Sequence, residues 1–248
     1  EAFKGKNGAI VSMIPSTGEI LIMLSSPSYN PEIYQDNLSY EKWRALIQNP
    51  YKPLFDKTTG GSFAPGSIYK PIVALAALEE GIVKPDVKHN CRGSFELGID
   101  KFHCHKRTGH GKMNLVEALM TSCAYYFYKL GVELGIDRIA KYAKMFGLGN
   151  KTGIQLNKEE AGLIPTQSWS KKTTGRGLQL GDIPPVSIGQ GANLLTPLQM
   201  ASMYSTLATE GKTWKPFLVK KITDHSGKVV FENTPTLTNH ITKIKKES

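Results

Sequence analysis

The strongest constraint on this chain is the run Phe63-Ala64-Pro65-Gly66-Ser67-Ile68-Tyr69-Lys70-Pro71, followed by the apolar stretch Ile72 to Leu78 and the stop Glu79-Glu80-Gly81. Proline is tolerated in a helix only in the opening turn, where its missing N–H has no partner to lose. Pro71 therefore fixes where a helix begins, and Gly81 fixes where it ends. Side chains three apart share one helix face, so Ser67 in the first turn places Lys70 one turn above it. A serine hydroxyl is nearly inert at neutral pH, whereas a lysine whose ammonium is desolvated can take its proton. The unpaired N–H groups and positive dipole end of the helix favour negative charge developing beside Ser67. Ser67 as nucleophile with Lys70 as its base is one reading; an ordinary helix face carrying two common residues is the other.

A chain of 248 residues that is 40% hydrophobic can bury a sizeable core. The net charge of +10 is spread along it, with one denser run at Lys243-Ile244-Lys245-Lys246. No aromatic-interleaved basic motif accompanies that charge, so no nucleic-acid partner is expected, and a solvated face near an anionic cell surface accounts for it. No segment approaches the roughly eighteen apolar residues of a membrane span, and no signal peptide is read at the start. Glu1-Ala2-Phe3-Lys4 leads almost directly into a strand, which points to further sequence upstream.

Ala9 to Ile14 and Glu19 to Leu24, joined by Pro15-Ser16-Thr17-Gly18, read as a hairpin. Ser39 caps a helix carrying Trp43, Leu46 and Ile47 on one side, between loops at 30–37 and 48–63. The stretch from Gly81 to Lys112 reads as irregular. Asn114-Leu115-Val116-Glu117 is a capping box opening a helix to Met120; Tyr125 to Leu134 and Ile136 to Phe146 are two more. Thr196 caps a helix from Pro197 to Glu210, and Trp214 to Ile222 with Lys228 to Phe231 reads as a second hairpin.

Ser-x-x-Lys alone is a weak signal, and its company gives it weight. The accompanying runs are Gly8-Ala9-Ile10-Val11 through Gly18-Glu19-Ile20-Leu21, Ser25-Ser26-Pro27-Ser28-Tyr29 and Gly109-His110-Gly111. Ser122-Cys123 follows with Tyr126-Phe127-Tyr128, then Gly189-Gln190-Gly191 with Thr196-Pro197-Leu198-Gln199. Together with Pro65-Gly66-Ser67 they resemble the class B penicillin-binding proteins, most of all those of the elongation type, over nearly the whole chain.

The resemblance implies a mixed α/β transpeptidase fold, an antiparallel sheet flanked by helices with a mostly helical second lobe. Residues 1–248 would be part of that domain, with a membrane anchor, a pedestal and the strand bearing the family's Lys-Thr/Ser-Gly triplet expected outside them. It implies catalytic roles for Ser67, Lys70 and Ser122, the last passing a proton to the leaving group, and a flexible substrate-side wall at Gly189, Gln190 and Gly191. A helix cap at Ser122 and a turn at Gly189–Gly191 are the plain alternatives. Where the family carries Asn or Asp two residues after the second serine, this chain has Ala124, which puts full activity in question. Lys151-Thr152-Gly153 copies the missing triplet but follows a helix in the wrong surroundings, and it is set aside, as are Lys172-Thr173-Thr174-Gly175 and Lys57-Thr58-Thr59-Gly60.

All three cysteines, Cys91, Cys104 and Cys123, fall in one short segment with His103, His105 and His110. Cys91-x12-Cys104-x5-His110-x12-Cys123 can supply three sulfurs and one nitrogen, the donor number of a closed tetrahedral structural zinc site. A Cys91–Cys104 disulfide with Cys123 free, or three inert thiols, remain open beside it. Relatives of the elongation type carry an Asp, Asp, His and Cys metal site around the same Gly-His-Gly segment, with Cys91 and Cys104 at the Asp positions.

The implied reaction is peptidoglycan D,D-transpeptidation through a serine acyl-enzyme, at the periplasmic face of the inner membrane, with β-lactams trapped at the acyl stage. Stem peptides, MreC and RodA are the implied partners. A β-lactamase or D,D-carboxypeptidase would use the same residues with water completing the reaction, and a non-catalytic penicillin-recognising scaffold or sensor would use none of them.

Overall fold

The computed structural model describes residue 3, residues 5–34, 38–242 and residue 244. The basic run ending the chain, Ile244 apart, the residues Glu1, Ala2 and Lys4, and the end of the 30–37 loop lie outside the described residues. In chain order the elements are β1 (Gly8–Met13), β2 (Ile20–Ser26), α1 (Tyr40–Ile47), α2 (Lys70–Glu79), β3 (His89–Cys91), β4 (Ser94–Leu97), β5 (Asp100–His103) and β6 (Gly111–Met113). They continue with α3 (Leu115–Met120), α4 (Ala124–Leu134), α5 (Ile136–Met145), α6 (Gln167–Thr174), α7 (Ile183–Ser187) and α8 (Pro197–Ala208). The last four are β7 (Lys212–Trp214), β8 (Lys221–Thr223), β9 (Val229–Glu232) and β10 (Leu237–His240). The class is mixed α/β as expected, with the strands paired as antiparallel two-stranded ladders. No helix among the described residues is long and apolar enough to cross a membrane.

Two compact units form. One comprises Glu1–Phe63, Asn150–Gly162 and Leu195–His240. Its β1–β2 hairpin pairs Gly8 with Ser26 and turns at Pro15–Thr17, and buries Ile20 with Ile154 and Leu198 against Val11, Met13 and Met23. Helix α8 opens on a capping box between Thr196 and Gln199, with Pro197 in its first turn. The buried Gln199 amide then donates to the carbonyls of Asn150 (2.7 Å) and Ala161 (2.8 Å), pinning that inserted segment. Trp214 does not join the second hairpin: it pairs with Leu237, and only Lys221–Thr223 forms the arm opposite Val229–Glu232. The pairing between β7 and β10 spans distant sequence, which no local pattern reveals. Pro31–Tyr34 forms a 3-10 turn inside the expected loop. Ser39 caps α1 as expected, yet no residue of α1 is buried.

The other unit comprises Ala64–Gly149, Leu163–Leu194 and Ile241–Ser248. Helices α2, α4, α5 and α7 pack together, burying Tyr69, Ile72, Tyr126, Phe127, Leu130 and Ile139. Gly131 lets α4 cross close to α7, since a Cβ there would collide with the Ser187 side chain. The stretch from Gly81 to Lys112 is not irregular: β3 pairs with β6 and β4 with β5, each strand only three or four residues long. Helices α6 and α7 are also additions to the sequence reading. Two prolines in α7 and a polar α6 hide the helical period.

Candidate active site

Ser67 lies in a 3-10 turn, Gly66–Tyr69, ahead of α2 rather than in the first α-helical turn. Pro71 has no N–H to give to the Ser67 carbonyl, so the next available donor, Lys70 N–H, closes a tighter i to i+3 bond onto it. Ser67 is exposed, whereas Lys70, the first residue of α2, is 2% exposed. Pro71 falls in the opening turn, as the sequence requires.

The Lys70 ammonium nitrogen donates to the Ser122 carbonyl oxygen (2.8 Å) and to Ser122 Oγ (2.9 Å). It also lies 5.4 Å from the centre of the Phe127 ring, a cation–π neighbour that the sequence reading did not single out. Burial, opposed by Cys123 and Cys104, lowers the Lys70 pKa from 10.5 to about 8. Among the described residues its hydrogen-bonding side-chain partner is Ser122, not Ser67.

Ser122 earns its position from the end of α3. The Ser122 N–H bonds the Leu119 carbonyl (3.1 Å) and the Cys123 N–H bonds that of Ala118 (2.9 Å), the two bonds of a Schellman stop. That stop requires a left-handed residue, and Ser122 supplies it with φ 52°. Ser122 thus ends the helix, and in the same conformation its carbonyl and Oγ accept from Lys70. Ala124, the first residue of α4, is buried.

Gly189 follows α7 at φ 73°, and its carbonyl accepts the Gly66 N–H at 2.8 Å. A Cβ on Gly189 would collide with the Gly66 backbone and the Tyr69 Cβ. Gly189 thus backs the turn carrying Ser67, while Gln190 and Gly191 are exposed beyond it.

Cys91, Cys104, His110 and Cys123 converge, with one ligand atom from each lying within 4.8 Å of all the others. Cys91 ends β3 opposite Gly111, Cys104 follows β5 and donates its N–H to Gly93, and Cys123 is the N-cap of α4. Gly93 and Gly109 hold left-handed conformations where a Cβ would strike the carbonyls of Arg107 and Cys91, so the loop closes only around glycines. His110 Nδ1 stands 3.5 Å from Cys104 Sγ and 3.7 Å from Cys91 Sγ. A tetrahedral zinc with ordinary bond lengths separates a sulfur and a nitrogen by about 3.6 Å, which these two pairs match. All three cysteines are free and buried, and no disulfide joins Cys91 to Cys104. Burial, with His105, Lys106 and Lys70 nearby, lowers the His110 pKa and favours the neutral ring a metal needs. Burial opposes ionisation of Cys104, but N–H groups of Tyr125, Lys106 and Ala124 hold its thiol below the usual range. Burial and the neighbouring thiols push Cys123 up.

A serine in a 3-10 turn, a buried amine and a serine at a helix junction are the arrangement expected of the penicillin-recognising class. The chain belongs to that family: the model of the penicillin binding protein transpeptidase domain matches residues 8–247. Its similar proteins within that family include several of the PBP2, or MrdA, type. The peptidoglycan D,D-transpeptidase MrdA of Acinetobacter baumannii is 37% identical over 243 residues, covering 93% of this chain and 36% of that protein. PBP2 of Helicobacter pylori, solved alone and in complex with MreC, superposes with TM-score 0.89 at 32% identity, over 99% of this chain and 45% and 44% of those chains. Penicillin-binding protein A of M. tuberculosis, solved as a penicillin G acyl-enzyme, gives TM-score 0.79 at 27% identity over 94% of this chain and 53% of that one. The chain spans about a third of the length of the MrdA relatives it matches.

Proposed function

We propose that this chain carries the acylation site of a peptidoglycan D,D-transpeptidase acting in cell-wall elongation. Ser67 Oγ attacks the carbonyl between the two terminal D-alanines of a stem peptide, and neutral Lys70 accepts its proton. The tetrahedral oxyanion collapses, the C–N bond breaks, and the departing D-alanine amine takes a proton from the Lys70 ammonium through Ser122 Oγ. An amine on a neighbouring stem peptide then attacks the ester, forming the cross-link and returning the hydroxyl to Ser67. A β-lactam follows the first half of this course, but its opened ring stays attached and blocks the incoming amine.

The observation that carries this reading is the buried Lys70 amine bonded to both Ser122 oxygens. Burial makes the amine a competent base near neutral pH, and Ser122 gives its proton a route outward. Fluorescent penicillin added to the full-length protein is expected to form a covalent adduct that Ser67→Ala abolishes. Labelling that survives that change would remove Ser67 as the nucleophile.

Cys91, Cys104, His110 and Cys123 are proposed to hold a structural zinc, which when bound supplies no chemistry to the reaction and locks the loop. Cys123, one of the four ligands, directly follows Ser122 in the chain, so a bound metal would hold the second serine against Lys70. The protein is placed at the periplasmic face of the inner membrane, with MreC and RodA as assembly partners; the MreC complex of the H. pylori relative supports the first of these.

One observation favours a second reading, a non-catalytic penicillin-recognising module: Ala124 offers a buried methyl group where the family orients its lysine and substrate with an amide or carboxylate. Absence of any penicillin adduct on full-length protein would decide for it.

A further inference from the structure

Outside the nucleophile and the cysteine cluster, the β3–β4 segment and α4 enclose an open pocket of about 570 Å³. Three cations line it: Lys88 and Arg92, both exposed, and Lys129 from the second turn of α4. Glu96 is the lining carboxylate, and against it the three cations leave the pocket a positive excess. Glu133 reaches Lys129 only at 3.7 Å and both are partly solvated, a weak pairing that an incoming anion can replace. Beside the cations stand two half-buried rings, Phe95 and Tyr125, packed edge to face with centroids 5.8 Å apart. Asn90 and Ser94 add neutral donors and acceptors.

None of these groups is used by the acylation chemistry. Cations alone would suit any anion, but cations beside aromatic rings and neutral hydrogen-bonding groups match an amphipathic ligand. Such a ligand has an apolar C–H face to lie on a ring, hydroxyls or amides to bond, and a carboxylate for the guanidinium fork. We propose that this pocket binds an amino sugar together with the first residues of its attached peptide, whose free carboxylate meets the cations, a segment close to the glycan polymer rather than the reacting peptide end. The choice of polymer rests on the transpeptidase reading above. The pocket would then hold a strand while the peptide reacts elsewhere. Its walls stand on the metal-binding segments, since Arg92 adjoins Cys91 and Tyr125 is two residues beyond Cys123, so the loop that orders Ser122 also shapes the pocket.

The test uses full-length protein first acylated at Ser67 with penicillin, so that the reacting site is blocked. Muramyl dipeptide, which has a lactyl-linked sugar and a free carboxylate but no D-alanyl-D-alanine bond, is then titrated and followed by calorimetry and by NMR of the Tyr125 ring. Saturable binding that moves the Tyr125 signal is expected, with affinity falling about tenfold in the Arg92→Gln, Lys129→Gln double variant while the penicillin acylation rate is unchanged. The proposal is overturned if the dipeptide fails to bind, if it binds the double variant equally well, or if inorganic phosphate or phosphatidylglycerol vesicles occupy the pocket more tightly. Because the protein is labelled beforehand, failure to label defeats the transpeptidase reading, whereas labelling without dipeptide binding defeats only the pocket.

Discussion

The carbonyl oxygen of Gly189 lies 2.8 Å from the Gly66 amide nitrogen, so a loop far along the chain holds the turn that presents Ser67. Contact is closest at Cα, where any side chain would meet the Gly66 backbone and Tyr69 Cβ. Gly189→Ala must therefore move the nucleophile turn or unwind its own left-handed backbone. Displacements of this kind far exceed what a reacting geometry tolerates, and penicillin acylation should slow by about 100-fold. Stopped-flow acylation with a melting curve checks this; an unaltered rate in a folded variant would show that the turn is positioned by other contacts.

Lys70 sets the pH dependence. Burial disfavours its ammonium and brings its pKa from 10.5 to about 8, so the neutral amine accumulates as pH rises through that value. Acylation should climb through an ascending limb near pH 8 and level off above it. The stability sign agrees: the folded state releases the proton before the unfolded chain does, so this group adds stability as pH rises from about 8 to 10.5 and opposes folding below. Lys70→Met should abolish the acylation limb and flatten that slope in urea melts. A wild-type profile flat from pH 6 to 9.5 would contradict Lys70 as the base.

What could be read without coordinates was whatever is written locally. Pro71 and Gly81 delimit α2, Asn114 and Glu117 close a capping box, and Thr196 with Gln199 closes another, because each device spans only a few residues. The convergence of Cys91, Cys104, His110 and Cys123 was legible for a different reason, the crowding of rare ligand types into one segment. The ladders that bring those ligands together were not, since three or four residues are too few to show an alternating pattern. Gly66 against Gly189 and Lys70 over Phe127 are contacts between distant segments made by residues with ordinary local explanations. The apolar side of α1 shows the limit from the other direction: the period gives a face, and Trp43 and Ile47 on it remain exposed.

Lys151-Thr152-Gly153 tests the rejection of a tempting triplet. The Glu159 carboxylate accepts from Thr152 N–H (2.7 Å), Thr152 Oγ1 (2.6 Å) and Gly153 N–H (3.1 Å), which commits the triplet to holding a loop. Glu159 is itself buried, so removing its charge leaves donors poorly satisfied. Glu159→Gln should lower unfolding free energy by about 1–3 kcal/mol without changing the penicillin acylation rate. Lys151→Ala should change neither; loss of labelling in that variant would reinstate the triplet as catalytic.

The cysteine cluster makes the most demanding prediction, because metal binding, folding and positioning are joined there. Purified full-length protein should carry one zinc per chain, and Cys104→Ser should lose it. Metal that bridges four segments is folding energy, so chelation should lower stability by several kcal/mol and broaden the melt. Acidification should release zinc as the thiols and His110 take up protons, which a chromophoric chelator follows independently of activity. Once Cys123 is freed, the Schellman stop alone holds Ser122, and the two hydrogen bonds from Lys70 should loosen. Acylation should then slow in the chelated protein while Ser67 still labels to completion, separating loss of position from loss of the nucleophile. Zinc-free protein with full stability and an unchanged acylation rate would leave the cluster as three buried thiols beside a histidine.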